Sequence, residues 1–219
     1  MVSIQAVLFD LDGVLIDSEP IWERIRRDFA ERLGGTWTNE IQQRMMGVRT
    51  ADWSRALSEI VGGKVPPESA AEQVIAALAE AYLHEPPVIL GAADAVRALA
   101  GEVRLGLVSG SPIVLIRLVL HELDLADCFE VAMSGDDVPR GKPHPDPYLE
   151  LARRMAVAPN LCAAVEDSGN GITSAAAAGA HVIAIPRGDH RPDVETLRLA
   201  KAVLPSIKEL TPELVRRIA

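Results

Sequence analysis

Residues 7–20 read VLFDLDGVLIDSEP, an apolar run that breaks into acid at Asp10 and Asp12 and again at Asp17 and Glu19. The run from Ile4 to Phe9 does not alternate cleanly, which suits a strand covered on both faces, as in a parallel sheet. Residues two apart in an extended chain point the same way, so Asp10 and Asp12 face one opening at the strand's carboxyl end. Open α/β sheets bind ligands at that edge. Two carboxylates there suit a hard cation with oxygen ligands, Mg²⁺ above all. An EF-hand calcium loop counted from Asp10 would need Gly where Leu15 stands and Glu where Ile21 stands.

Four further runs resemble the first: Val103 to Val108, Phe129 to Met133, Leu161 to Val165 and Val182 to Ile185. Helical stretches lie between them, from Pro112 to Leu120, Pro147 to Met155 and Ile172 to Ala178, two of them with proline near the first turn. Strand and helix in alternation predict a doubly wound parallel α/β sheet, a Rossmann-like core. The alternation fails between Asp17 and Pro87, where only helices are readable. Ile21, Trp22, Ile25, Phe29 and Leu33 recur at helical spacing, and so do Trp53, Leu57, Ile60 and Val61, then Val74, Ile75, Leu78 and Tyr82. Gly34-Gly35 and Gly62-Gly63 punctuate them. The expected division is an α/β core over residues 1–16 and 88–219, with an inserted all-helical cap over 17–87 that moves relative to the sheet.

The other strand ends carry matching chemistry. Ser109-Gly110-Ser111-Pro112 ends the second strand and opens a helix, where a hydroxyl and free amides can hold an anion. Gly141-Lys142-Pro143 follows the third and supplies one cation; Glu166-Asp167 ends the fourth and supplies two more acids. Carboxylates to hold a metal, with a nest and a lysine to hold a dianion, fit a phosphate ester bound through Mg²⁺. An aspartate can attack phosphorus once the phosphate charge is neutralised. A second aspartate two residues on can protonate the leaving alkoxide and then take a proton from water. That makes Asp10 the expected nucleophile and Asp12 the expected acid and base.

With these residues in place, the chain resembles the haloacid dehalogenase-like superfamily of phosphotransferases over essentially its whole length. Asp10-Leu11-Asp12-Gly13-Val14, Ser109, Lys142 and Glu166-Asp167 are similar to its four signatures, in order. The segments DSEPIW, LVSGSP, GKPHPDPYL and VEDSGNGI resemble most the sugar-phosphate enzymes near 2-deoxyglucose-6-phosphate/hexitol phosphatase and β-phosphoglucomutase. The resemblance implies a phosphoaspartyl intermediate at Asp10 and phosphoryl binding by Ser109, the Gly110 amide and Lys142. It implies Mg²⁺ held by Asp10, the Asp12 carbonyl, Asp167 and Glu166, the last directly or through water. It also implies a cis Lys142-Pro143 bond. A phosphomutase is the alternative, differing only in whether water or a sugar hydroxyl takes the phosphoryl group. Halide release is disfavoured, since Asp12 and the Glu166/Asp167 pair suit metal-dependent phosphoryl transfer. A non-catalytic receiver module would have no use for a lid.

Within the cap, Glu19 past the hinge and Arg49 on a Gly-Val-Arg loop are the candidates for substrate contact. Trp22, Trp37 and Trp53 are read as core, Ser111 as a helix cap, Lys64 as surface, and Asp136-Asp137 as a solvated loop. Gly169-Asn170-Gly171, with Asp189 about 20 residues on, is a near-miss for a dinucleotide fingerprint, because Ser174 stands where the third glycine would be. The chain has 219 residues, 31 acids against 22 bases and a formal charge of −9, with no basic run to attract nucleic acid or an anionic membrane. No apolar stretch nears the ~20 residues of a membrane span, no signal peptide is read, and Cys128 and Cys162 sit among apolar neighbours as expected thiols. The expectation is a cytoplasmic monomer acting on a small-molecule phosphate ester.

Overall fold

The computed structural model describes residues 3–188 and 191–218; Asp189 lies outside the described residues. Six parallel strands form one sheet: β1 (Ala6–Phe9), β2 (Arg104–Ser109), β3 (Val131–Ser134), β4 (Cys162–Glu166), β5 (His181–Ala184) and β6 (Ala202–Val203), in the order β3-β2-β1-β4-β5-β6. The order reverses at β1, so the first strand lies at the sheet's switch point. Phe9 pairs with Leu107 on one side and Val165 on the other, which levels the three strand ends and brings Asp10, Ser109 and Glu166 to one edge.

The lack of alternation has its physical cause in the two faces of the sheet. Val7, Phe9, Leu105, Leu107 and Val165 face one apolar cluster, while Ala6, Leu8, Val108 and Ala164 face another. Helices α5 (Ala92–Ala100) and α6 (Ile113–Glu122) close the first face; α7 (Asp146–Arg154) and α8 (Gly169–Ala177) close the second. The chain ends with α9 (Val194–Leu197), β6 and α10 (Pro212–Arg217). Strand β6 escapes the sequence pattern because two residues are too few to show one, and Val203 is half exposed.

Between β1 and α5 the structure places four helices: α1 (Glu19–Arg32), α2 (Asn39–Met45), α3 (Thr50–Ile60) and α4 (Pro67–His84). The second was not expected. Its sequence, NEIQQRM, has almost no apolar stripe, and its start is set by Thr38, whose hydroxyl accepts from the Ile41 amide at 3.3 Å. Trp22 and Trp53 pack edge to face, 5.7 Å between centroids, inside the insert. The chain enters and leaves the insert side by side: Asp17 N–H donates to Pro87 O at 2.7 Å, and Ile89 N–H donates to Leu15 O at 3.0 Å. Cys162 is buried, whereas Cys128 is only half-buried, and both are free thiols.

Candidate active site

Lys142 is the hub of the strand edge. Its side chain is 8 % exposed, and its ammonium donates to Asp10 Oδ1 at 2.7 Å and Glu166 Oε1 at 2.6 Å. The Lys142-Pro143 peptide is cis. Tyr148, one turn into α7 and fully buried, donates its hydroxyl to the same Glu166 oxygen at 2.6 Å. Ser168 donates to the other Glu166 oxygen at 3.2 Å while capping α8 through the Gly171 amide. Both glutamate oxygens therefore already accept from protein donors. Two glycines make room for the acids. A Cβ on Gly171 would overlap the Glu166 carboxylate, and one on Gly13, whose φ is +79°, would overlap that of Asp167.

Asp12 is held by three hydroxyls. Ser18 donates to Oδ1 at 2.5 Å, and Ser109 and Ser111 donate to Oδ2 at 2.6 and 2.8 Å. Ser111 is thus no simple cap; Pro112 occupies the N-cap position of α6, and the Ser111 hydroxyl is spent on Asp12.

The electrostatics of the edge are strained toward negative charge. Burial pushes the Asp10 carboxyl up to about 8, with Glu166 and Asp12 adding to the rise and Lys142 opposing it. Asp167 is also held well above the usual carboxylate range, by burial first and then by Glu166 and Asp10. Burial pulls Lys142 down, but Asp10 and Glu166 outweigh it and keep the ammonium charged. Oxygens of Asp10, Glu166 and Asp167 lie within 4.8 Å of one another, with one ammonium among three acids. An all-oxygen donor set with unbalanced negative charge fits a hard divalent cation.

Above this edge lies a cleft of about 860 Å³, bordered by Asp10, Asp12, Lys142 and Asp167 on the sheet side. Glu19, Trp22, Arg26 and Trp53 border it from the insert. Of the two expected insert residues, Glu19 reaches the cleft. Arg49 instead borders a narrow gap beside Ser109, Gly110 and Lys142, and its guanidinium donates to Val138 O at 3.2 Å, Pro139 O at 2.7 Å and Asp52 Oδ2 at 3.1 Å. Beside it, the Thr50 amide and hydroxyl donate to the Asp136 carboxylate at 3.0 and 2.6 Å. Asp136 is therefore no free loop acid: it caps the first turn of α3 from the other side of the cleft. Lys64 is exposed, as expected, with its ammonium on Leu33 O.

Sequence reasoning passed over Ser18, Tyr148 and Arg26. Ser18 shows in the sequence only as a helix start beside Pro20, and Arg26 only as an arginine on the buried face of α1 with Trp22, Ile25 and Phe29.

An acid-rich edge at the switch point of a parallel sheet, with one buried lysine and a helical insert overhead, defines an α/β enzyme of the phosphate-handling kind. The sequence model of the haloacid dehalogenase-like hydrolases matches residues 4–179, and the chain belongs to that family. It is 36% identical over 215 residues to hexitol phosphatase B of Escherichia coli (strain K12), covering 95% of both chains. It is 32% identical over 234 residues to phosphoglycolate phosphatase of the same organism, covering 96% of this chain and 92% of that one. A crystal structure of β-phosphoglucomutase from Clostridium difficile shares its fold with a TM-score of 0.81 at 21% identity, over 98% of this chain and 96% of that one. The protein is a phosphatase. Among the described residues no helix is long and apolar enough to cross a membrane.

Proposed function

We propose that the protein is a Mg²⁺-dependent phosphomonoesterase of sugar or polyol phosphates, acting through a phosphoaspartyl intermediate on Asp10. The observation that carries this reading is the pairing of Asp10 with Lys142 at 2.7 Å beside an Asp12 carboxylate fixed by three hydroxyls. Asp10 attacks phosphorus, and the bond to the leaving alkoxide breaks as Asp12 gives that oxygen a proton. Asp12 then takes a proton from a water that attacks the acyl phosphate, releasing phosphate and restoring Asp10. Lys142 and the Gly110 amide hold the phosphoryl oxygens and stabilise the charge in flight, joined by the Ser109 hydroxyl as it turns from Asp12 to the phosphoryl group. Asp10, Asp167 and the Asp12 carbonyl would hold Mg²⁺, with Glu166 behind them through water; bound there, the ion would neutralise the phosphate dianion.

Phosphate release from a panel of phosphorylated sugars, polyols, nucleotides and glycolate, with Mg²⁺ and with EDTA, tests the reading. Activity undiminished by EDTA, or interconversion of hexose phosphates without phosphate release, would overturn it. Mg²⁺ at roughly 100 times its dissociation constant should stabilise the fold by about 2.7 kcal/mol. That corresponds to roughly 5–10 °C in melting temperature for a chain of this size. The rise should be larger at pH 8 than at pH 5.5, because carboxylates must shed their protons to ligate a metal and Asp10 holds its proton to about 8.

The insert acts as a lid in this reading, and Arg49 with Thr50 holds it down on the 136–139 loop. Asp136→Ala removes the cap on α3 only in the closed arrangement. It should lower kcat/KM about 5- to 10-fold, the combined worth of two solvent-exposed charge-assisted bonds, with the melting temperature nearly unchanged. A variant with wild-type kcat/KM would remove the latch.

A further inference from the structure

One charge in the insert is left unused by the phosphate chemistry. Arg26 is 3 % exposed, and its guanidinium carbon lies 4.2 Å from the Trp22 ring centroid and 5.2 Å from that of Trp53. Nη1 donates to Met45 O at 3.2 Å, while Nε is buried without a partner. Arg26 joins no ion pair among the described residues. Burial pulls it down to about 10, with Glu19 and Asp12 opposing. A desolvated guanidinium with a single carbonyl bond is costly to keep, and such groups mark sites where something else completes the bonding.

What completes it is legible from the neighbours. Glu19 borders the same cleft as Arg26, and its carboxylate is oriented by the Gln42 side-chain amide. The indoles of Trp22 and Trp53, packed edge to face beneath the guanidinium, border the same cleft. An arginine, a carboxylate and two indoles bordering one cavity suit a chain of hydroxylated carbons: guanidinium N–H to hydroxyl oxygen, hydroxyl O–H to carboxylate, C–H against indole. A second anionic group suits the cleft less, because Asp17, Glu19 and Glu23 border it against Arg187, which already lies 3.8 Å from Asp17.

We infer that Arg26 and Glu19 form the specificity site of this phosphatase, reading neutral hydroxyls on the substrate's carbon chain. The enzyme then prefers polyol and sugar monophosphates to bisphosphates and to phosphorylated carboxylates. The inference rests on the sugar- or polyol-phosphate reading and names the residues that impose it.

Steady-state kinetics of Arg26→Met, Arg26→Lys and Glu19→Gln test it, with sorbitol 6-phosphate, p-nitrophenyl phosphate, 2-phosphoglycolate and fructose 1,6-bisphosphate as probes. Arg26→Met should raise KM for sorbitol 6-phosphate at least about 20-fold, the loss expected for a charged hydrogen bond. Its kcat should hold within about threefold, and so should kcat/KM for p-nitrophenyl phosphate, which has no chain hydroxyl to read. Arg26→Lys should recover part of the KM loss, and Glu19→Gln should raise the same KM about 5-fold. If Arg26→Met does not fold, the lysine and glutamine variants carry the same comparison. Equal losses on sorbitol 6-phosphate and p-nitrophenyl phosphate would make Arg26 a packing residue and overturn the inference. A wild type that prefers the bisphosphate or phosphoglycolate would make it an anion site and overturn it as well. A wild type that turns over p-nitrophenyl phosphate but no polyol phosphate would overturn the substrate reading itself, and this inference with it.

Discussion

Asp10→Asn should lower kcat by at least about 10⁴-fold, the scale on which enzymes lose turnover when a nucleophile is removed. The amide is nearly the same size and keeps an oxygen to accept from Lys142, but it has no lone pair basic enough to attack phosphorus. The fold should stay in place. Asp10 sits in a crowd of acids that burial already pushes up to about 8, so without metal at pH 7 it is mostly neutral, and the amide relieves only the remaining repulsion from Glu166 and Asp12 as it weakens the bond to Lys142. The two effects oppose each other. Chemical denaturation at pH 7 without metal should therefore place the variant within about 2 kcal/mol of the wild type, an ordinary value for a single substitution. Turnover within tenfold of wild type would remove Asp10 from the nucleophile's place. A variant that neither turns over nor folds would leave the chemistry to be read from Asp12→Asn, whose amide oxygen can still accept from Ser109 and Ser111 while its NH2 group donates to the Ser18 hydroxyl oxygen.

Much of this edge is legible in the amino-acid sequence, for a physical reason. A strand buried on both faces carries a continuous apolar run, and where it leaves the sheet it stops being apolar. Asp10, Ser109 and Glu166 stand at such breaks, and the level pairing of Phe9 with Leu107 and Val165 brings them together. Each acid could be found by locating the end of its strand. The parts that were not readable are side-chain directions and contacts between distant segments. Ser18 and Ser111 look like helix-start residues, and nothing local says that both hydroxyls turn toward Asp12. Tyr148 sits inside the expected helix from Pro147 to Met155, while its hydroxyl bond to Glu166 depends on how α7 lies over the sheet. Arg26 reads as a long cation whose stem covers apolar surface with its head in water, the commonest fate of such a residue on a helix. It is instead buried between two indoles, which only the packing of α1 against α3 decides. The bond from Thr50 to Asp136 joins segments 86 residues apart with no local pattern between them.

Lys142→Met should damage stability and activity together, and the pH dependence separates the two. Among the described residues the ammonium is the one cation in contact with Asp10 and Glu166, at 2.7 and 2.6 Å, with its side chain 8 % exposed. Methionine fills much of the same volume but leaves two buried carboxylates without their counter-charge. Breaking a buried pair from one side costs about 3–5 kcal/mol. Folding then depends on protons. An acid whose pKa is raised in the folded state loses stability as pH climbs from its unfolded value toward its folded one, because the unfolded chain sheds its proton first. For Asp10 that window already runs from 3.8 to about 8 in the wild type, and removing the lysine, which opposes the rise, widens it upward. Urea melts without metal should therefore show a steady gap between variant and wild type from pH 4.5 to about 7, widening as the pH rises through about 8. Mg²⁺ should recover part of the loss at pH 8, since a cation held by the same carboxylates replaces some of the missing charge. Turnover should stay low even where the fold is recovered, because the ammonium that faces the transferring phosphoryl group is gone. A destabilisation independent of pH would mean that Lys142 acts through packing alone. Full activity on recovery by Mg²⁺ would mean that its charge matters to the fold and not to the reaction.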